Sequence, residues 1–311
     1  MSDDDSNNSG SNALAALSDG LADTVDRLGA SVLAVPGRGR GALASAVVWR
    51  PGVAVTVAHV FRRAPASIEL VGAGGRDVKA TAAGLDPATD LAVFRLGEEA
   101  LPAVPHGDAA AVRAGQLAVL IGRSLQGDPC ASFGMINRSG GPWRSWLGGR
   151  LDRLIRLDGG VHPGLSGGPV ADAAGRGVYG IASAALSRHY GIVVPASTVD
   201  TVVDALLAGG RVSRGFLGIA AQPVSAGSAD APAQGLLITG LTPDGPAAKA
   251  GVLLGDIVLR VADQPAESLQ DLRHALADRV GQAVQVALLR GGVPTELSVV
   301  VAPWPERAQR C

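Results

Sequence analysis

The stretch Val161-His162-Pro163-Gly164-Leu165-Ser166-Gly167-Gly168-Pro169-Val170 places one serine among glycines and prolines, directly after the apolar segment 151–157. Glycines on both sides allow the backbone to turn sharply and to direct N–H groups at one point, where an oxyanion could be held. A serine hydroxyl is a poor nucleophile at its free pKa, so a catalytic serine also needs a base. The same motif is equally typical of a glycine-rich surface loop, and the choice depends on the rest of the chain.

Composition narrows the class of protein. The chain has 311 residues, enough for two domains, with 47% hydrophobic residues, 18% charged residues and a net charge of -1. Such a balance gives no electrostatic attraction to nucleic acid or anionic lipid. Cys130 and Cys311 are the only cysteines, and no metal-ligand spacing occurs. We therefore expect no structural disulfide, no metal, no cofactor and no nucleic-acid partner.

The N-terminal residues are polar and contain no apolar run of the kind found in signal peptides. No stretch of 18 or more uninterrupted apolar residues occurs, so we expect no membrane span and, for the chain as written, a cytoplasmic location. We predict a disordered tail over residues 1–17. Leu21, Val25 and Leu28 then follow helical spacing, which predicts an amphipathic helix over 18–28.

Short apolar segments separated by turns follow, which predicts a mainly β fold, an antiparallel barrel or sandwich. A helix over 195–207 ends at Gly209-Gly210, so we place the end of the first domain at 208. In the second domain, 209–302, we predict four strands (236–240, 257–261, 284–290 and 296–301) and two helices (246–250 and 268–280). Residues 303–311 are predicted to be an unstructured tail.

Two further residues could serve a catalytic serine. His59 ends an apolar strand-like run and Asp90 precedes another. Taken alone, a histidine at a strand end is more often structural and an acid before a strand is more often a turn residue. With Ser166 they form the order His, Asp, Ser, in which histidine accepts the serine proton and aspartate fixes the histidine tautomer.

At these residues the chain resembles the trypsin-like serine proteases, and more narrowly their high-temperature-requirement (HtrA, DegP-like) family. The matching motifs are Thr56-Val57-Ala58-His59-Val60, Asp90-Leu91-Ala92-Val93-Phe94 and Pro163-Gly164-Leu165-Ser166-Gly167-Gly168-Pro169. The resemblance implies a two-barrel, chymotrypsin-like protease domain over 18–208. It also implies a His59, Asp90, Ser166 triad, with the backbone N–H groups of Gly164 and Ser166 as oxyanion donors.

The second domain resembles the PDZ domain of the same family. The matching segments are 214–219 and 245–256. The resemblance implies that Phe216, Leu217, Gly218 and Ile219 form a loop that holds the C-terminal carboxylate of a peptide, with polypeptide substrates and C-terminal peptides as partners. The alternative is a small domain that only packs against the protease.

Substrate preference follows from the resemblance. Relatives that cut after basic residues carry an acid six positions before the serine, where this chain has Gly160. Ser183 is expected behind the triad and Ala185 on the wall of the S1 pocket, the pocket that holds the side chain before the cleaved bond. We therefore expect cleavage after small or aliphatic residues.

The expected function is that of a serine endopeptidase acting on misfolded or PDZ-recruited proteins. The alternatives are a protease-like chaperone or scaffold with a latent site, and a signalling protease released by a PDZ ligand. The resemblance also implies a homo-oligomer, a trimer, and a compartment outside the cytoplasm. No aromatic residue precedes Trp49, whereas relatives pack their trimers through N-terminal aromatics. Leu165 also replaces the usual asparagine before the nucleophile.

Overall fold

The computed structural model describes residues 4–37, 42–61, 63–97, 100–209, 212, 215–228, 231–277 and 279–304. The chain divides into two compact units, residues 1–145 with 150–212 and residues 213–311 with 146–149. No helix in the described ranges is long and apolar enough to cross a membrane.

Within the described residues, the first unit contains two closed barrels of six antiparallel strands each. The strand order is β1-β2-β3-β6-β5-β4 in the first barrel and β11-β14-β13-β12-β7-β8 in the second. The bounds of the first-barrel strands are β1 Val32–Pro36, β2 Ala42–Arg50, β3 Val53–Val57, β4 Ser67–Val71, β5 Asp77–Asp86 and β6 Leu91–Leu96. The bounds of the second-barrel strands are β7 Leu117–Arg123, β8 Pro129–Gly140, β11 Leu154–Leu157, β12 Pro169–Asp172, β13 Val178–Ser183 and β14 Ile192–Pro195.

Further elements complete the first unit. These are the helices α1 Asp4–Gly29 and α2 Ala196–Gly209, the short pair β9 Trp143–Arg144 and β10 Arg150–Leu151, and 3₁₀ turns at Ala73–Gly75 and Ala109–Ala111. The mainly β, two-barrel architecture expected from the sequence is confirmed.

The barrel strands are apolar almost throughout because many of them are buried on both faces. In β3, Val53 and Val55 join the apolar cluster that also includes residues of the second barrel, whereas Ala54 between them joins the interior cluster of the first barrel. Successive side chains of a strand point to opposite faces, so one strand serves both cores. This packing positions the two barrels, and the loops at the ends of their strands, against each other.

The second unit is a sheet with two helices and an additional strand pair. The sheet order is β16-β17-β18-β20-β21, with β19 paired to β18. The bounds are β15 Gly215–Phe216, β16 Ile219–Ser228, β17 Ala231–Leu241, α3 Pro246–Lys249, β18 Ile257–Val261, β19 Gln264–Pro265, α4 Leu269–Leu276, β20 Ala283–Arg290, β21 Val293–Val300 and β22 Ala302–Pro303. The unit has its own apolar core, to which all five main strands and both helices contribute.

Both predicted tails need correction. Helix α1 begins at Asp4, so the predicted disorder of 1–17 is wrong from residue 4 onward. Residues 13–17 are alanine and leucine, good helix formers, and extending a helix that has already nucleated adds one hydrogen bond per residue. At the other end, β22 pairs with β15, and the Trp304 ring packs against Phe216 with ring centroids 5.0 Å apart. Residues 303 and 304 therefore belong to the second unit, and residues 305–311 lie outside the described part.

Two predictions within the second unit also differ from the structure. Helix α4 ends at Leu276 rather than at 280. Strand β16 was not predicted, because its sequence contains Pro223 and several small residues that disfavour strands. Ten residue pairs with β17 hold it in place, and its position at the sheet edge tolerates a proline.

Candidate active site

Strand pairing brings His59 and Asp90 together. His59 follows the end of β3 by two residues, and Asp90 directly precedes β6. The two strands are antiparallel neighbours with Val57 opposite Leu91, so their adjoining ends meet. The Ala58 N–H also donates to the Asp90 carbonyl at 3.1 Å.

The Asp90 carboxylate is buried and receives several hydrogen bonds. Its Oδ1 accepts the backbone N–H of His59 at 2.8 Å, and its Oδ2 lies 2.8 Å from His59 Nδ1. The Ser183 hydroxyl donates to the same Oδ2 at 2.6 Å. A carboxylate can only accept, so Nδ1 carries the proton and Nε2 of a neutral His59 is an acceptor. This is the tautomer that a general base requires.

The turn before β6 holds Asp90 in an uncommon conformation, with φ of 58°. Asp86, at the start of the turn, accepts the Ala88 N–H at 3.3 Å and the Thr89 hydroxyl at 2.6 Å. Asp86 is thus a buried turn residue, and no hydrogen bond joins it to the imidazole of His59.

The loop that carries Ser166 begins with a tight turn over residues 162–165. The Leu165 N–H donates to the His162 carbonyl at 3.0 Å, and Gly164 at the third position has φ of 84°. Proline at the second position and a left-handed glycine at the third define a type II turn. The sequence Pro163-Gly164 is therefore well suited to this turn.

Two backbone donors of this loop differ from their neighbours. Among the described residues, the N–H groups of Gly164 and Ser166 make no hydrogen bond. Their neighbours in the loop are bonded: the Gly167 N–H donates to Ala182 at 2.8 Å, and the Gly168 N–H donates to Leu165 at 3.0 Å. Two free donors beside a serine hydroxyl are what an oxyanion site needs.

The Ser166 hydroxyl accepts the backbone N–H of Ala184 at 3.2 Å. Within the described part of the chain it makes no hydrogen bond to the His59 ring. Hydrogen bonds between a nucleophile and its base are often long or misaligned without substrate, so this arrangement is compatible with a working pair.

The expected pocket residues occupy two different places. Gly160 lines a cavity of about 300 Å³ with Leu157, Asp158, Val161 and Leu120 among its walls. Ser183 and Ala185 do not line this cavity. The Ser183 hydroxyl, besides donating to Asp90, accepts the Ala185 N–H at 3.1 Å.

In the second unit, the expected carboxylate loop connects β15 to the edge strand β16. Gly218 has φ of 79°, and Leu217 is buried. The carbonyls of Leu217 and Gly218 accept N–H groups of Ala247 and Thr242, whereas their own N–H groups have no partner among the described residues. The loop therefore presents two adjacent free donors beside an open sheet edge.

A charged network lies on the hairpin that follows the serine loop. Asp172 on β12 accepts hydrogen bonds from Tyr179 on β13 and from Arg176 in the turn. Burial opposes the charge on Asp172, but the bonds from Arg176, Tyr179 and the Ala174 N–H outweigh it, and the pKa of Asp172 is lowered. Burial and the hydrogen bond to Asp172 raise the pKa of Tyr179 to about 12.

The residue that sequence reasoning missed is Ser45, in the middle of β2. Its backbone N–H donates to the Ser166 carbonyl at 2.8 Å and its hydroxyl donates to the Gly164 carbonyl at 2.8 Å. The only sequence signal was a lone hydroxyl in the otherwise apolar segment 42–49. Among the described residues, no three His, Cys, Asp or Glu side chains group closely enough to hold a metal ion.

Comparison with known families agrees with this architecture. Residues 44–181 match the trypsin-like peptidase domain, and residues 215–301 match the PDZ domain. The first unit is thus a trypsin-like peptidase domain, and the second is a PDZ domain.

Curated relatives match most of this chain. A probable periplasmic serine endoprotease, DegP-like, from Halomonas elongata is 34% identical over 84% of this chain and 56% of its own length. A protein of the same name from Pseudomonas savastanoi pv. phaseolicola is 31% identical over 88% of this chain and 60% of its own. This chain is therefore similar to DegP-like serine endoproteases over most of its own length, and it spans less than two thirds of the length of these relatives.

Solved structures give the same result. The HtrA-type protease AlgW, solved with a decapeptide, superposes with a TM-score of 0.70 at 27% identity, covering 92% of this chain and 99% of that chain. The serine endoprotease from Yersinia pestis superposes with a TM-score of 0.68 at 26% identity, covering 92% and 98%.

Proposed function

We propose that this protein is a serine endopeptidase that forms an acyl-enzyme on Ser166. The observation that carries the proposal is that the site contains both an oriented base and free backbone donors. Asp90 holds the Nδ1 proton of His59, while the N–H groups of Gly164 and Ser166 stay free beside the serine. The trypsin-like peptidase domain and the names of the relatives, which are serine endoproteases, support the same function.

The chemistry follows from these positions. The Ser166 hydroxyl turns from the Ala184 N–H toward His59 Nε2, gives up its proton there and attacks the substrate carbonyl carbon. The N–H groups of Gly164 and Ser166 stabilise the resulting oxyanion. His59 then protonates the leaving amine, which leaves an ester on Ser166, and water hydrolyses this ester by the same proton transfers in a second step.

A fluorophosphonate probe tests the nucleophile directly, because it reacts only with an activated serine. We expect the parent protein to be labelled, and Ser166→Ala and His59→Ala not to be labelled. Labelling of the Ser166→Ala variant would contradict the assignment, since another residue would then be the nucleophile.

We assign small or aliphatic residues as the preferred side chains before the cleaved bond. Gly160 provides no charge six residues before the serine, and Ala185 adds a methyl group to the expected pocket wall. A peptide library cleaved by the parent protein tests this preference, and strong selection for arginine or lysine would refute it.

The PDZ domain is assigned to capture protein C-termini. The free N–H groups of Leu217 and Gly218 support this role, with Phe216 and Ile219 as neighbours, because such donors can hold a carboxylate at the end of an added strand. Peptides solved with the HtrA-type protease AlgW point the same way. Titration calorimetry with a C-terminal peptide and its amidated copy tests the assignment. Equal affinities would exclude carboxylate capture.

A latent scaffold is the second candidate, because the Ser166 hydroxyl is bonded to Ala184 rather than to His59. No labelling of the parent, with or without PDZ-binding peptides, would favour the scaffold. It would be supported further if Ser166→Ala still suppressed aggregation of an unfolded protein. Labelling that appears only with peptide, together with turnover of one substrate, would favour a signalling protease.

Assembly and location belong to the same set of proposals. The trimer implied by the family is tested by light scattering on the full chain. The relatives are named as periplasmic, which supports a location outside the cytoplasm. Cell fractionation followed by detection of the protein tests this location, and recovery only in the cytoplasmic fraction would contradict it.

A further inference from the structure

The geometry points to Ser45 as a positioning residue that holds the oxyanion donors of the Ser166 loop in place. This inference rests on the proposed serine-protease function and adds a residue from the first barrel to the machinery. Ser45 lies on β2, 121 positions before Ser166 in the sequence, and is fully buried.

The Ser45 hydroxyl has a single possible orientation. The Arg123 N–H donates to its Oγ at 3.1 Å, so the hydroxyl acts as an acceptor there. Its one proton is then available for the Gly164 carbonyl at 2.8 Å. Because Ser45 is fully buried, loss of its hydroxyl would leave two backbone groups without a hydrogen bond that solvent could readily replace.

Ser45 thereby fixes two of the carbonyls that flank the free donors. Its hydroxyl binds the carbonyl of Gly164 and its backbone N–H binds the carbonyl of Ser166. The carbonyl between them, on Leu165, is held by Gly168. The Ser166 N–H shares a trans peptide group with the Leu165 carbonyl and points away from it. The two Ser45 bonds hold the peptide groups on either side of that peptide, and the Gly164–Leu165 peptide also adjoins the one that carries the Gly164 N–H.

Removal of the hydroxyl should misalign these donors. The Gly164 carbonyl and the Arg123 N–H would both lose a partner in a buried place, which favours rotation of the Gly164–Leu165 peptide toward another donor. This rotation would shift the two adjoining peptide groups, which carry the N–H groups of Gly164 and Ser166. The effect should fall on the transition state, because only there does the oxyanion carry full charge.

The alternative is that Ser45 only supports the barrel. Thr56 offers a matched control, since its hydroxyl is equally buried and donates to the Ser45 carbonyl at 2.6 Å without touching the loop carbonyls. The experiment compares the full-length parent with Ser45→Ala, Ser45→Cys and Thr56→Val. Each is assayed for kcat and KM on a fluorogenic peptide, for the Kd of a peptide boronic acid, and for thermal unfolding.

We expect Ser45→Ala to lower kcat by about tenfold to a hundredfold, less than the loss of a donor itself, with little change in KM. The boronic acid, which forms a tetrahedral adduct on Ser166, should bind more weakly by a similar factor. Ser45→Cys keeps a weaker donor at this position on a slightly larger side chain and should lose less kcat. It replaces the alanine variant if that does not fold. Thr56→Val should lower the unfolding temperature without the parallel losses of kcat and of boronic acid affinity.

Two results would overturn the inference. One is a folded Ser45→Ala with parental kcat and boronic acid affinity. The other is a loss of kcat that simply tracks the unfolding temperature across all variants, Thr56→Val included. A parent protein with no turnover and no labelling would instead reject the proposed function, and this inference with it.

Discussion

The proposed acid–base half of the site, His59 and Asp90, and the proposed nucleophile half, around Ser166, are held in different ways. His59 and Asp90 sit at the adjoining ends of two paired strands, and a carboxylate with several donors locks the imidazole. The Ser166 loop depends on contacts from distant parts of the chain, above all Ser45, and keeps two of its own donors unpaired. The first half is therefore stabilised by its hydrogen bonds. In the second half, the N–H groups of Gly164 and Ser166 have to stay unbonded so that they can bind an oxyanion.

The largest effect is expected from breaking the acid–base half. Asp90→Asn retains the shape but can donate to His59 Nδ1, which would move the imidazole proton to Nε2, where it opposes general-base action. We expect kcat to fall by about 10⁴-fold. Steady-state kinetics on a peptide substrate measure this loss. Asp108→Asn makes the same chemical change on an exposed turn, and an equal loss there would rule out the tautomer explanation.

The next effect concerns the nucleophile half. Gly167 has φ of 87°, and a Cβ there would lie 2.1 Å from the Ser45 carbonyl oxygen. We expect Gly167→Ala to destabilise the protease domain by about 3 kcal/mol or more, because both strain and a backbone clash oppose it. Urea unfolding measures the change.

Gly52 provides the control for that variant, since its φ is 74° and a Cβ there meets nothing within 4 Å. Gly52→Ala should therefore cost only about 1–2 kcal/mol, from the left-handed conformation alone. Equal losses for the two variants would mean that the contact with Ser45 is unimportant.

A smaller effect is expected from Ser183, which connects the two barrels at Asp90. Ser183 comes from the second barrel, yet its hydroxyl donates to Asp90. We expect Ser183→Ala to reduce kcat by about tenfold, the value of one charge-assisted hydrogen bond, with KM nearly unchanged. Ser139→Ala removes a hydroxyl that donates to the Val112 carbonyl and should leave kcat at the parental value. A rise in KM alone would instead assign Ser183 to substrate binding.

The smallest effect is expected on the hairpin behind the nucleophile. Tyr179→Phe removes one donor to Asp172, which should lower the free energy of unfolding by about 1–2 kcal/mol at neutral pH. Because the folded pKa of Asp172 is lowered, its contribution is present above about pH 4, its unfolded pKa, and is lost as the pH falls further.

Tyr179 works in the opposite direction on the pH scale. Its pKa is raised to about 12, so its contribution is complete below about pH 10 and is lost as the pH rises through 12. Urea unfolding of the parent and Tyr179→Phe between pH 3 and pH 11 measures both limbs. A difference that does not shrink toward either extreme would contradict the role of this hydrogen bond.

Local sequence patterns predicted the strands that are apolar along their length and the turn before Ser166. Apolar runs such as 53–57 and 91–96 predicted strands because these segments are buried on both faces, and Pro163-Gly164 was suited to the turn before Ser166. Strand β16 and the start of α1 were not predicted. Strand β16 forms because it pairs with β17, and α1 begins early because an existing helix is extended toward the N-terminus.

The sequence by itself determined the mainly β class, the resemblance to DegP-like proteases and the three residues proposed as the triad, because short motifs with glycine, histidine and aspartate at strand ends carry that information. Only the tertiary structure decided how the halves are joined. Ser45 and Ser183 are ordinary serines in sequence, and their roles arise from contacts of 119 and 93 positions in chain separation. A hydrogen bond depends on the distance between two atoms in space, and no local pattern records which distant strand will supply the partner.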